Sequence, residues 1–268
     1  MALPAMVFRP RLRKKRLTDR FLFCLVVGNF WIITVTLLLL LIGIANAFTV
    51  LLFTYGGALL IVYARNRAKV NHFFKLAGQT IWWLVRGELR GGLYLHRGAS
   101  TLGKQLRRLF GVLGRWLRPR WVELTLLTVC MIGSLWFTSY QVLNIYCLGT
   151  SDLVVHVYWL NSALEGSVMV AGVYPFGYHA LLYYLKVISG VDSLVLIRVM
   201  GVVQSAYITL MLYLLARQLC RCKYSAVLAL IVFTLTSAFD AYAVMRYQWS
   251  LPQEYAMLFL YPMALYLQ

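Results

Sequence analysis

The chain is short of acid and of charge altogether. Among its 268 residues there are eight Asp and Glu against 26 Lys and Arg, and charged residues of both signs make up 13%. A soluble domain is about a quarter charged and about half apolar. Here the apolar share is 62%, which excludes an ordinary soluble domain and points to a polytopic membrane protein. Five cysteines, at 24, 130, 147, 220 and 222, offer neither a second pair for a zinc site nor the spacing of a redox pair. ATP-binding, dinucleotide-binding and zinc-protease signatures are missing, which argues against an ATP-driven pump. No internal repeat and no low-complexity segment occurs.

Long apolar runs are plentiful instead. Residues 21–45, "FLFCLVVGNFWIITVTLLLLLIGIA", carry no charge, and about 20 such residues cross a bilayer. A second, shorter run at 48–64 follows at once, so 21–64 reads as a helical hairpin behind a basic tail at 1–20. The stretch 65–120 is basic with interleaved aromatics. In "GKQLRRLFGVLGRWLRP" the apolar positions Leu106, Leu109, Phe110, Leu113, Trp116 and Leu117 repeat at helical spacing, as in a helix lying in the headgroup layer. "HFFKLAGQTIWWLV" at 72–85 is a weaker candidate of the same kind. Further spans are expected at 121–147, 193–217 and 224–242. Another, from about 251, is still apolar at Gln268, so the chain reads as the N-terminal part of a larger fold. The expectation is an all-α protein with about six transmembrane helices.

The basic residues orient it. All but Lys186, Arg198 and Arg246 fall in the tail, in 65–120 or at 217–223, and Lys and Arg beside spans mark the cytoplasmic side. The expected location is the cytoplasmic (plasma) membrane, with the N-terminus inside. The positive charge then reads as topology and as attraction to anionic lipid, not as nucleic-acid binding. The loop 148–192 is expected outside.

That loop holds the chemistry. "TSDLVVHVYWLNSALEG" at 150–166 concentrates Asp152, His156 and Glu165. As a helix it starts at Ser151, ends at Gly166, and places Asp152 and His156 one turn apart on one face. After "GVYPFGYH" a second amphipathic helix, about 178–189, carries His179 and Lys186. Both helices are expected on the outer membrane surface. A carboxylate there suits a general base; the plain alternative is an acid favoured by the helix dipole.

The order of span, outer Asp, amphipathic helix ending near "ALEG", then "YPFGYHALLYYL", with "RYQWSLPQEYAM" at 246–257, resembles the C-type membrane glycosyltransferases. That superfamily includes protein O-mannosyltransferases, lipid A aminoarabinose transferases and uncharacterised bacterial polytopic proteins. The resemblance covers about 121–268. It implies a sugar moved from a polyprenyl-phosphate carrier to an extracytoplasmic glycan or protein acceptor in envelope assembly, with Asp152 as base and His156 beside it. It leaves cofactors unassigned: metal-using members carry a paired acidic motif, whereas Leu153 and Val154 follow Asp152 here. Substrate-binding candidates are His179, Lys186, Arg246 for the carrier phosphate, Glu254 and Tyr174 for the sugar. Arg198 falls within a span and is expected to face a cavity or Asp240. The expected partners are membrane lipid, the lipid-linked donor, the acceptor, and a chain completing the fold. A non-catalytic scaffold subunit or a lipid-linked-sugar transporter is the alternative. The transporter is disfavoured because the spans carry almost no polar residues besides Arg198.

Overall fold

A computed structural model describes residues 17–87, 118–144, 151–170, 176–220, 222–239 and 251–266, with isolated positions elsewhere. The described residues are helical and contain no strand. The helices are α1 (Leu17–Ile42), α2 (Ala47–Leu51), α3 (Gly57–Val85), α4 (Trp121–Asn144), α5 (Ser151–Leu164), α6 (Gly177–Ser189), α7 (Ser193–Cys220), α8 (Lys223–Phe239) and α9 (Pro252–Tyr266). Among the described residues, three helical stretches are long and apolar enough to cross a membrane: Thr18–Ile42, Ala47–Ala68 and Ser193–Cys220. Helices also stand where further spans were expected, as α4, α8 and α9.

The chain forms two compact units, residues 1–59 with 126–268, and residues 60–125. In the larger unit the α1–α2 hairpin closes through a capping box. The side chain of Asn46 accepts from the backbone of Thr49, and Thr49 Oγ1 accepts in return. A π-helical turn, Leu52–Gly56, joins α2 to α3. Trp31 Nε1 donates to the carbonyl of Thr54 at 2.9 Å. Gly57 permits that approach, because a Cβ there would stand 3.2 Å from the Trp31 indole.

α6 is the centre of this unit. It packs against α1, α2, α5, α7 and α9, and residues 178–184 are all buried. That differs from the expected surface helix. His179 is the one ionisable side chain among residues 178–184 besides the tyrosines, and the other six, Tyr178, Ala180, Leu181, Leu182, Tyr183 and Tyr184, are enclosed by neighbouring helices rather than by lipid headgroups. Gly177 sits against Ile33 of α1. Tyr183 Oη donates to the Ala45 carbonyl at 2.9 Å, and the hydroxyls of Tyr184 and Tyr55 are 3.0 Å apart. α6 therefore runs alongside the second half of α1, from the level of Ile33 to the hairpin turn. At 1.5 Å per residue it begins about 14 Å below the end of α1.

In the smaller unit α3 breaks at Asn66, where φ is −127° and ψ 26°, and then continues beyond its apolar part to Val85. A 3₁₀ turn, Arg118–Arg120, leads into α4. The expected surface helix at 103–119 falls mostly outside the described residues.

Candidate functional site

α5 buries Leu153, His156, Leu160 and Ala163, spaced three and four apart on one stripe. Its end is fixed by Gly166 at φ +88°. The Ser167 N–H donates to the Ser162 carbonyl, the six-to-one bond of a left-handed helix stop. Ser193 Oγ donates to Asn161 Oδ1 at 2.8 Å, tying the last turn of α5 to the first of α7. Asp192 Oδ1 accepts from the Leu194 N–H and caps α7.

These constraints deliver His156 to His179. His156 Nδ1 lies 3.1 Å from His179 Nε2, and the side chains are 5% and 0% exposed, so one imidazole donates to the other inside the protein. Aromatic rings enclose them. Phe176 stacks on His179 at 4.9 Å, and Trp159 meets both imidazoles edge-on at 5.3 Å. Burial, and secondarily the neighbouring His156, lowers the pKa of His179 to about 3. His179 is therefore neutral at physiological pH. The pair joins α5 to α6, and it fixes the helix whose second residue is Asp152.

A second polar contact lies beside it. The Tyr178 and Tyr255 rings are 5.1 Å apart, and Tyr255 Oη donates to Asn29 Oδ1 at 3.1 Å. Asn29 is mid-helix in α1, thirteen residues before Ile42, about 20 Å by helical rise. The first turn of α9 thus meets α1 halfway along it, and α6 starts one turn further on. Tyr178 Oη is buried without a hydrogen-bond partner, and burial raises its pKa well above the usual phenol value.

The site residues expected from the sequence divide as follows. His156 and His179 come together, through ring nitrogens rather than on a shared open face. Asp152 stands in the first turn of α5 and Glu254 in the first turn of α9, with both side chains outside the described residues. Lys186 is in the last turn of α6, half-buried, two turns beyond His179. Tyr174, Arg246 and Asp240 lie outside the described residues; Arg198 is inside α7. Among the described residues no three His, Cys, Asp or Glu side chains gather as a metal site. Sequence reasoning missed Trp159, Phe176, Tyr255 and Asn29. A mid-span Asn in an uncharged 25-residue run was the available signal, since polar groups within spans need partners.

No protein family, no curated protein and no solved structure matches this chain.

Proposed function

We propose that the chain is a membrane glycosyltransferase that moves a sugar from a polyprenyl-phosphate carrier to an extracytoplasmic acceptor, with Asp152 as general base. The observation that carries the reading is the buried His156–His179 pair. It immobilises α5, and a base must be held against its substrate to act. The Asp152 carboxylate takes the proton of the acceptor hydroxyl as that oxygen attacks the anomeric carbon. The bond from that carbon to the phosphate oxygen breaks, and the polyprenyl phosphate leaves with the electron pair. His156, one turn along α5, positions the helix that carries the base.

In this reading α4, α8 and α9 join the three apolar stretches as membrane helices, and the N-terminus faces the cytoplasm. The last turn of α5, tied to the start of α7, and the end of α6 belong to the outer side of the plasma membrane. Donor and acceptor approach from there, with Lys186, Arg246, Glu254 and Tyr174 as candidate contacts.

The test compares envelope glycans in wild-type, deletion and Asp152→Asn strains at matched membrane levels of the protein. The reading expects Asn to abolish the same modification as deletion, with turnover down by on the order of 10²–10⁴. An Asp152→Asn strain identical to wild type, beside a defective deletion strain, replaces the transferase with a membrane scaffold.

A further inference from the structure

α3 does not stop where its apolar stretch stops. The candidate span ends at Ala68, two residues past a break at Asn66, yet helix continues to Val85. The break is braced on both sides. Asn66 Nδ2 donates to the Val62 carbonyl at 3.1 Å, and Tyr63 Oη donates to Asn71 Oδ1 at 3.3 Å. On a straight helix residues eight apart are about 12 Å apart along the axis, so this second bond belongs to the bend.

Beyond the bend the helix has two distinct sides. Val70, Phe73, Phe74, Ala77 and Ile81 follow the three-and-four spacing of one face. Phe73, Phe74 and Ile81 are 65%, 65% and 62% exposed. Asn71, Lys75, Gln79 and Arg86 occupy the opposite side by the same spacing, with Trp82 among them, and Arg67 stands at the edge between the two. Trp82 and Trp83 stand exposed near the end, with the Arg86 guanidinium 4.6 Å over the Trp82 ring. Between Gly57 and Gly87 there are five Lys and Arg and no acid.

We propose that residues 67–86 are an interfacial helix that docks onto the anionic headgroup layer of the membrane its own span crosses. The apolar face enters the acyl boundary, Trp82 and Trp83 sit at headgroup level, and the cations meet lipid phosphates. Continuity favours this occupant over a soluble partner, because the helix begins within two residues of the end of a span and is already at the bilayer surface. Charge complementarity selects anionic lipid. The assignment does not depend on whether the chain transfers a sugar.

The test uses the full chain in nanodiscs of phosphatidylglycerol or of phosphatidylcholine, and follows trypsin cleavage after Arg67, Lys75 and Arg86. Cleavage is expected to be slower by on the order of tenfold in anionic discs, and added salt is expected to relieve the protection. A Phe73→Ser, Phe74→Ser variant is expected to lose protection in both lipids while keeping wild-type cleavage elsewhere. Equal rates in the two lipids overturn the proposal. So does equal protection in lipid-free detergent, which would assign the face to a second copy or to another segment of this chain.

Discussion

Tyr255 Oη donates a hydrogen bond to Asn29 Oδ1 at 3.1 Å, joining residues 226 positions apart. Asn29 in turn donates its Nδ2 to the Leu25 carbonyl at 2.8 Å. The short chain Tyr255–Asn29–Leu25 fixes the first turn of α9 to the middle of α1. Tyr255→Phe keeps the ring against Tyr178 and removes only this bond. It is expected to cost about 1 kcal/mol. In a double-mutant cycle with Asn29→Ala, thermal unfolding in detergent should show a coupling of about that size. Strict additivity of the two substitutions would refute the link.

The His156–His179 clamp makes stability depend on pH in a definite direction. The unfolded chain protonates His179 near the ordinary 6.5, whereas the folded chain resists until about pH 3. Between those values the unfolded state binds more protons, so acidification favours unfolding. The contribution is intact above pH 6.5, declines as pH falls, and is fully lost below about pH 3. His179→Gln keeps a hydrogen-bonding side chain and removes the titration. The melting temperature of wild type should therefore fall more steeply than that of the variant between pH 6.5 and 4.5. Parallel curves would mean that His179 is protonated in the fold.

Gln204 is 2% exposed in the middle of α7, and neither atom of its amide has a hydrogen-bond partner. Thr36 Oγ1 of α1 is in the same condition. Each such group costs about 1–3 kcal/mol to leave unpaired. Gln204→Met and Thr36→Val nearly preserve volume and remove the polar atoms. Both should stabilise the fold by about 1 kcal/mol or more and so raise the midpoint of thermal unfolding. A lowered midpoint at Gln204 would show that its amide serves a bound water or ligand.

Local structure was legible where local signals decide it. Ser151 and Gly166 bracket α5, the αL residue Gly190 ends α6, and most of the uncharged run at 21–45 lies in α1. The environment of each face was not legible. In water an apolar stripe points to the core, but in lipid both lipid-facing and protein-facing sides are apolar. The pattern of α6 therefore does not distinguish a helix resting on the membrane from one enclosed by five others. The pairing of His156 with His179 depends on the path of the connection between α5 and α6, and no periodicity encodes that path. The meeting of Tyr255 with Asn29 depends on the depth at which α9 begins, which the hydropathy of 251–268 leaves open. The break at Asn66 falls between the expected span at 48–64 and the expected surface helix at 72–85, but that one helix carries both was not legible. The apolar span and the amphipathic helix after it are both helical, so only the change from all-round to one-sided hydrophobicity separates them.

The half-length of α6 has a consequence for biogenesis. Thirteen residues reach about 20 Å, short of the roughly 30 Å hydrocarbon layer, so α6 cannot be threaded into the bilayer as an independent crossing. Its place beside Ile33 and Ala45 exists only once α1 and α2 are inserted, and its far side is closed only once α7 follows it in synthesis. α6 packs against helices both before and after it in the chain, α1 and α2 on one hand and α7 and α9 on the other, so its enclosure is complete only when α7 and α9 are in place. Substitutions that put charge on α6 would then appear as failed membrane assembly and loss of the protein, before any defect in chemistry could be seen.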